Sequence, residues 1–192
     1  MKPISLILES LKTRVKSSRY EHTLRVMTYG ESLAKVHGVC LEQFMYAAAL
    51  HDYCKALDDW DMLIGLDSHQ INEVIKDQPN LAHGFKAAQV AKEKYDIHDE
   101  VILKSIEDHT FGSETISDLG KILYLSDHLE PKRYYEGIED LRQLVLQDLN
   151  EAVVLAASNT LTYEINQGHL LHEDTIKMRN CLLMNLKNEK QL

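Results

Sequence analysis

Apolar residues recur at spacings of three and four along almost the whole chain, without sustained two-residue alternation, so helices are the expected elements. Val26, Tyr29, Leu33 and Val36 form a stripe that predicts a helix over 18–37, opened by Ser17 or Ser18 and stopped at Gly38. The alanine-rich stretch 41–53 reads as a short helix buried on most sides. A weaker pattern after Asp67-Ser68 runs to Lys76 and is closed by Pro79-Asn80. Further helices are predicted over 81–95, 99–108 and 117–129, the last ended by Pro131. Beyond Gly137, two long amphipathic stretches, 141–166 and 174–186, complete the pattern. No repeat, linker or low-complexity tract divides it, which predicts one all-α domain spanning 1–192.

Composition fits that picture. A chain of 192 residues can bury roughly 70% of its unfolded surface without disulfides or structural metal. With 44% hydrophobic and 27% charged residues, it is neither disordered nor membrane-spanning in character. No stretch approaches the roughly 20 apolar residues that cross a bilayer, and the apolar run near Met1 is broken at Glu9 without a cleavage site. Three separated cysteines, Cys40, Cys54 and Cys181, have neither CxxC spacing nor a secreted pattern, so reduced thiols and a cytoplasmic location are expected. A net charge of −9 has the wrong sign for a protein that holds nucleic acid by neutralising phosphates. A polyanionic small substrate would need local positive charge or bound metal.

The candidate chemistry lies in the placement of the ten histidines. His51 continues the core-facing stripe of Phe44 and Ala48, and Asp52 follows it directly. His22 leads the stripe of Val26 and Tyr29, His109 ends that of Ile102 and Ile106, and Asp127 follows Gly120 and Leu123. His83 opens a helix ahead of Ala87 and Val90. Any one of these has a simpler explanation as a core imidazole bonded to a carbonyl, or as an acid paired with a base. Together, five helices each turn such a group inward, and a shared cation is the cheapest way to satisfy several buried imidazoles and carboxylates at once. His37, His69, His98, His128, His169 and His172 are assigned no chemistry. His37 suits a helix C-terminus, His69 and His98 lie in polar surroundings, and His128 points about 100° away from Asp127 around its helix.

The ordered set His22, His51-Asp52, His83, His109 and Asp127 resembles the HD-domain metal-dependent phosphohydrolases. His51-Asp52-Tyr53-Cys54-Lys55, Ala82-His83-Gly84, Asp108-His109-Thr110-Phe111-Gly112 and the run from Lys121 to Arg133 are similar to the YqeK-like branch, bacterial HD proteins that hydrolyse diadenosine tetraphosphate symmetrically. Phe111 and Ser126 depart from it, where the family often has threonine and alanine. The resemblance implies an all-α HD-domain bundle, with a motif-bearing core over about 18–135 and C-terminal helices over about 138–188 packed on it. It implies that His22, His51, Asp52 and Asp127 hold one metal ion and His83 and His109 a second, bridged by Asp52. It also implies two divalent or trivalent ions, iron first and manganese or cobalt as alternatives, since mixed imidazole and carboxylate donors suit these better than magnesium. The implied reaction is attack of a metal-bridging hydroxide midway along the tetraphosphate, giving two ADP.

Lys55, on the His51 side, and Arg133, just past Pro131, are the candidates for phosphate contact, with Asp52 and Lys55 as the catalytic pair. Pairing of either cation with an acid such as Asp58 or Glu136 is the competing explanation. The partners expected are a nucleotide or dinucleoside polyphosphate substrate and possibly a second copy of the chain, with no nucleic acid and no membrane. Two alternatives remain open: an HD phosphohydrolase acting on another nucleotide (a nucleoside monophosphate, a deoxynucleotide or a cyclic nucleotide), and a non-catalytic metal-binding helical module.

Overall fold

The computed structural model describes residues 1–189, and among them every regular element is helical. The chain opens with α1 (Ile4–Arg14), whose Ile7 and Leu11 are fully buried where it packs on α3. The sequence reading had no helix here, although Ile4, Ile7, Leu8 and Leu11 carry helical spacing. The long α2 (Ser17–Val36) packs on α3 (Leu41–Leu50) and on α8 (Asp118–Leu129). Neither predicted serine caps α2: the cap position is Lys16, without a side-chain hydrogen bond, and Ser17 is already helical. Val36 stands off the expected stripe and is exposed.

Residues 41–53 do not form one helix. The α-helix ends at Leu50, and the chain continues through tighter turns, with Tyr53 N–H donating to Leu50 O and Lys55 N–H to Asp52 O. The weak helix expected over 67–76 is reduced to the five-residue α5 (Glu73–Asp77), followed by a 3-10 turn at Pro79–Ala82, and an unpredicted five-residue helix, α4 (Asp59–Leu63), precedes it. Their apolar residues do not join the main core. Met62, Ile75, Ala82 and Phe111 form a second, smaller cluster.

The helices α6 (His83–Tyr95) and α7 (Glu100–Asp108) pack on each other, and α7 packs on α3 and α8. Asp99 caps α7 by accepting from Val101 N–H and Ile102 N–H, and Ser117 caps α8 by accepting from Gly120 N–H. The pattern over 141–166 is broken in the structure. The short α9 (Ile138–Leu144) ends before Asp148, which caps α10 (Leu149–Gln167) by accepting from Glu151 N–H. The apolar period runs through this break because both pieces pack on α8. Finally, α11 (Glu173–Glu189) packs against α10, so the C-terminal helices cover the core as one layer. Among the described residues no helix is long and apolar enough to cross a membrane.

Two close approaches bring the functional helices together. A Cβ on Gly30 of α2 would lie 2.0 Å from Phe44 Cζ of α3 and 2.4 Å from Ser126 Oγ of α8. A Cβ on Gly84 of α6 would lie 2.9 Å from the Ile106 carbonyl of α7. Glycine at these two positions lets α2 sit down on α3 and α8, and α6 on α7.

Candidate metal centre

The six residues singled out from the sequence converge in space. Four histidines crowd edge to face, with ring centroids 5.6 Å apart for His22 and His51, 5.1 Å for His51 and His109, and 4.8 Å for His83 and His109. All four are buried, as is Asp52, which stands among them. Asp52 Oδ2 lies 3.6 Å from His22 Nε2 and 3.5 Å from His51 Nε2, while Oδ1 lies 3.2 Å from His83 Nε2. Two groups able to hold a cation result, His22 with His51 and Asp52, and Asp52 with His83 and His109, and they share the one carboxylate. Asp127 stands at the edge of the first group, its Oδ1 3.0 Å from His22 Nε2.

The proton positions are set by what lies behind each ring. His51 Nδ1 is 2.7 Å from Ala48 O, His83 Nδ1 2.8 Å from Asn80 O, and His109 Nδ1 2.6 Å from Ile106 O. A carbonyl only accepts, so in each case Nδ1–H donates and Nε2 is left as a bare lone pair aimed at the centre. The consequence is a set of buried donors with nothing to bind. His22 Nε2 and His51 Nε2 have no hydrogen-bond partner at all, and the Nε2 atoms of His83 and His109 face each other at 2.9 Å. Two lone pairs at that distance repel unless a cation lies between them. Two nitrogens bound at about 2.1 Å and at right angles on one ion are about 3 Å apart. Orphaned imidazoles, facing lone pairs and a carboxylate common to both groups fit bound metal, and they fit a plain polar core poorly.

The electrostatics agree. Burial disfavours the Asp52 carboxylate, but the neighbouring His51 first and His83 next outweigh it and hold its pKa well below the usual range. Asp127 is likewise held far down against burial, chiefly by the facing His22 and then by the neighbouring His51. His109 is driven well below the normal histidine value by burial and by the neighbouring His83 and His51, and His83 is lowered chiefly by burial. The centre is therefore anionic at its carboxylates and neutral at these two imidazoles, which is the state that ligates metal.

Cations ring this core. Lys55 Nζ lies 3.2 Å from His83 Nδ1. Because that nitrogen already carries the proton given to Asn80 O, Lys55 acts there as a half-buried charge and not as a hydrogen-bond donor, and burial lowers its pKa. The tight turns after Leu50, not a continued α-helix, bring it there. Arg133 donates from Nη2 to Asp127 Oδ1 at 2.7 Å and from Nε to Asp127 O at 2.9 Å. Neither cation is bonded to Asp58 or Glu136. Three charged residues were not read from the sequence. Arg19 donates to Asp52 Oδ2 at 2.6 Å. Glu130 is buried and accepts from Arg25 Nε at 2.6 Å, from Arg25 Nη2 at 3.1 Å and from His22 Nδ1 at 3.2 Å. Burial opposes its ionisation, but the hydrogen bonds of Arg25, the Lys132 N–H and His22 prevail and hold its pKa down to about 2. Arg19 and Arg25 lie one turn before and after His22, where they look like ordinary helix-surface residues. Spacing from His22 was the only available signal.

The remaining histidines lie apart from the centre. His128 is held by Tyr124 O and Thr160, His37 reaches Val145 O, His98 pairs with Asp96 and His169 with Glu164. His172 lies in the connection between α10 and α11. It is buried, stacked on Phe111 with centroids 3.7 Å apart, and bonded to Asn72.

Comparison with known proteins gives a consistent result. The HD-domain family profile matches residues 19–132. The chain is 33% identical over 182 residues to the symmetrical bis(5'-nucleosyl)-tetraphosphatase of Halalkalibacterium halodurans, covering 94% of this chain and 97% of that protein. It is 29% identical over 177 residues to the protein of the same name from Bacillus subtilis, covering 92% and 95%. Its fold is similar to a crystal structure from Clostridium acetobutylicum described as an HD superfamily hydrolase involved in NAD metabolism, with a TM-score of 0.90, 31% identity, and coverage of 96% and 99% of the two chains.

Proposed function

Since this chain belongs to the HD-domain family of hydrolases, we propose that it is a metal-dependent phosphoanhydride hydrolase that cleaves diadenosine tetraphosphate symmetrically to two ADP. The observation that carries the chemistry is the Asp52 carboxylate shared between two groups of bare imidazole nitrogens. The substrate follows from relatives of that printed activity, matched over nearly their whole length.

His22, His51, Asp52 and Asp127 would hold one ion, and Asp52, His83 and His109 a second, with iron first among the candidates and manganese or cobalt next. Bound there, such ions supply Lewis acidity toward phosphoryl oxygens and a nucleophilic water at neutral pH. The protein's own contribution is placement. Asp52 fixes the two groups relative to each other from one rigid turn. Arg19 and Arg133 balance the Asp52 and Asp127 carboxylates, and with Lys55 they bring local positive charge to the place a polyphosphate would occupy, which answers the objection raised by the net charge of −9. Burial of the ligand set excludes bulk water and strengthens each of these contacts in the transition state.

Products decide the matter. Protein reconstituted with iron or manganese and given diadenosine tetraphosphate should release ADP alone on anion-exchange chromatography. AMP with ATP would refute symmetrical cleavage. Turnover of NAD, of the triphosphate-bridged dinucleotide or of mononucleotides in preference to the tetraphosphate would move the substrate assignment elsewhere in the family.

A further inference from the structure

Three of the four central imidazoles solve the same problem in the same way. His51 directly follows α3, His83 opens α6 and His109 directly follows α7, and each gives its Nδ1–H to the carbonyl three residues back. His22 cannot do this. It lies inside the long α2, where the nearby carbonyls already accept from helix N–H groups. Its Nδ1 instead meets a side chain from the far end of α8, Glu130 Oε1 at 3.2 Å, across 108 residues of sequence.

The choice of tautomer matters more at His22 than at its neighbours, because the competing acceptor is a carboxylate. With the proton on Nδ1, His22 donates to Glu130 and Nε2 is bare. With the proton on Nε2, it would face Asp127 Oδ1 at 3.0 Å, a favourable contact that blocks ligation. His22 Nε2 is buried without an aligned hydrogen-bond partner whereas Nδ1 is within bonding distance of Glu130, and this geometry favours the first arrangement. Glu130 is itself immobilised: Arg25 holds both of its oxygens, Nε to Oε2 at 2.6 Å and Nη2 to Oε1 at 3.1 Å, and the Lys132 N–H donates to Oε2 at 2.8 Å.

We propose that Glu130, fixed by Arg25, is a positioning residue that selects the Nδ1–H tautomer of His22 and so presents its Nε2 as a bare donor to the centre. The inference rests on the proposed ligand role of His22. Glu130 is buried behind the ring and acts through it, as a carboxylate behind a ligating histidine does in general.

The proton position is read directly by two-bond 1H–15N correlation spectra of metal-free, 15N-labelled protein. In the wild type all four rings should be protonated at Nδ1. In Glu130→Gln, which keeps the shape but loses the charge, and in Glu130→Ala, most of the His22 population should move to Nε2–H, while His51, His83 and His109 stay unchanged. Manganese affinity of the same samples should weaken roughly 10- to 100-fold. Arg25→Gln, a change at a partly exposed residue, leaves Glu130 in place but loosened, and should give a smaller loss in the same direction. If His22 stays Nδ1-protonated in Glu130→Gln, or if its manganese affinity matches wild type despite a moved proton, the inference fails. A wild-type protein that binds no manganese would overturn the ligand reading instead, and the spectra would still decide the proton.

Discussion

Gly84→Ala perturbs one half of the centre through packing alone. The added Cβ would lie 2.9 Å from Ile106 O, 3.0 Å from Glu107 O and 3.2 Å from His109 Nδ1. The first two are backbone atoms of α7, which cannot rotate away, so α6 must lift off α7 by about half an ångström to reach an ordinary contact. Overpacking of this kind costs about 1–3 kcal/mol, of which the better helix propensity of alanine recovers at most about 1 kcal/mol. The net loss of about 1–2 kcal/mol should lower Tm by about 2–8 °C in a chain of this size. The displaced pair is the informative part, because Ile106 O is also the acceptor that orients His109, and His83 precedes Gly84 directly. A half-ångström error at one member of the His83 and His109 pair should lower kcat about tenfold, given a loss of about a hundredfold per ångström of misplacement. Thermal unfolding by circular dichroism and initial rates on diadenosine tetraphosphate read the two effects separately. An alanine variant with wild-type Tm and wild-type kcat would refute the claim that this close approach sets the site.

Other perturbations separate ligand, charge and scaffold. Asp52→Ala removes the carboxylate shared by both groups and should abolish most metal binding and activity, whereas His128→Ala, which loses its bonds to Tyr124 O and Thr160 and its ring contact with Tyr124, should keep bound metal within twofold by elemental analysis. Lys55→Ala should retain metal and lose at least tenfold in kcat, and loss of metal would make Lys55 structural. Asp99→Ala removes the cap of α7 and should cost about 1–2 kcal/mol in urea unfolding. The Asp99 carboxyl is lowered in the folded state, first by the Gln43 hydrogen bond. Its contribution is therefore present above the unfolded carboxyl value, near 3.9, and is lost as pH falls below it, so wild type and variant should converge in stability at low pH. A constant gap between them down to pH 2 would contradict this.

The candidate ligands were legible because most of them sit on, or directly beside, an apolar stripe. His51 continues Phe44 and Ala48, both fully buried, and a polar group on that face has to be satisfied by something. The residues that act on the ligands were not legible for the complementary reason. Arg19, Arg25 and Glu130 find partners 33 and 105 positions away, and a charged residue on a helix flank looks the same in sequence whether it meets water or a carboxylate. Element boundaries failed where the apolar period misleads. It runs unbroken across Asp148, since α9 and α10 bury their faces against the same helix, and it is too short to register in the five-residue α4 and α5. Their residues form a separate small cluster around Met62 and Ile75, which no stripe announces.

The end of α3 matters as much as its stripe. On a regular α-helix consecutive side chains diverge by about 100°, and the chain leaves that path just where His51 and Asp52 stand, short of the Tyr53 end that its composition suggests. The helix stops at Leu50, and the tighter turns that follow, with bonds from Tyr53 N–H to Leu50 O and from Lys55 N–H to Asp52 O, wind the chain faster. Past that point Asp52 Oδ2 lies 3.5 Å from His51 Nε2, and Lys55 Nζ 3.2 Å from His83 Nδ1. The same logic places His83 at the first residue of α6 and His109 just beyond α7, where a free carbonyl is at hand to fix each ring. Only His22 is drawn from mid-helix, and only His22 needs a carboxylate and an arginine to hold it. Helix ends thus do at three positions what an ion-paired side chain must do at the fourth.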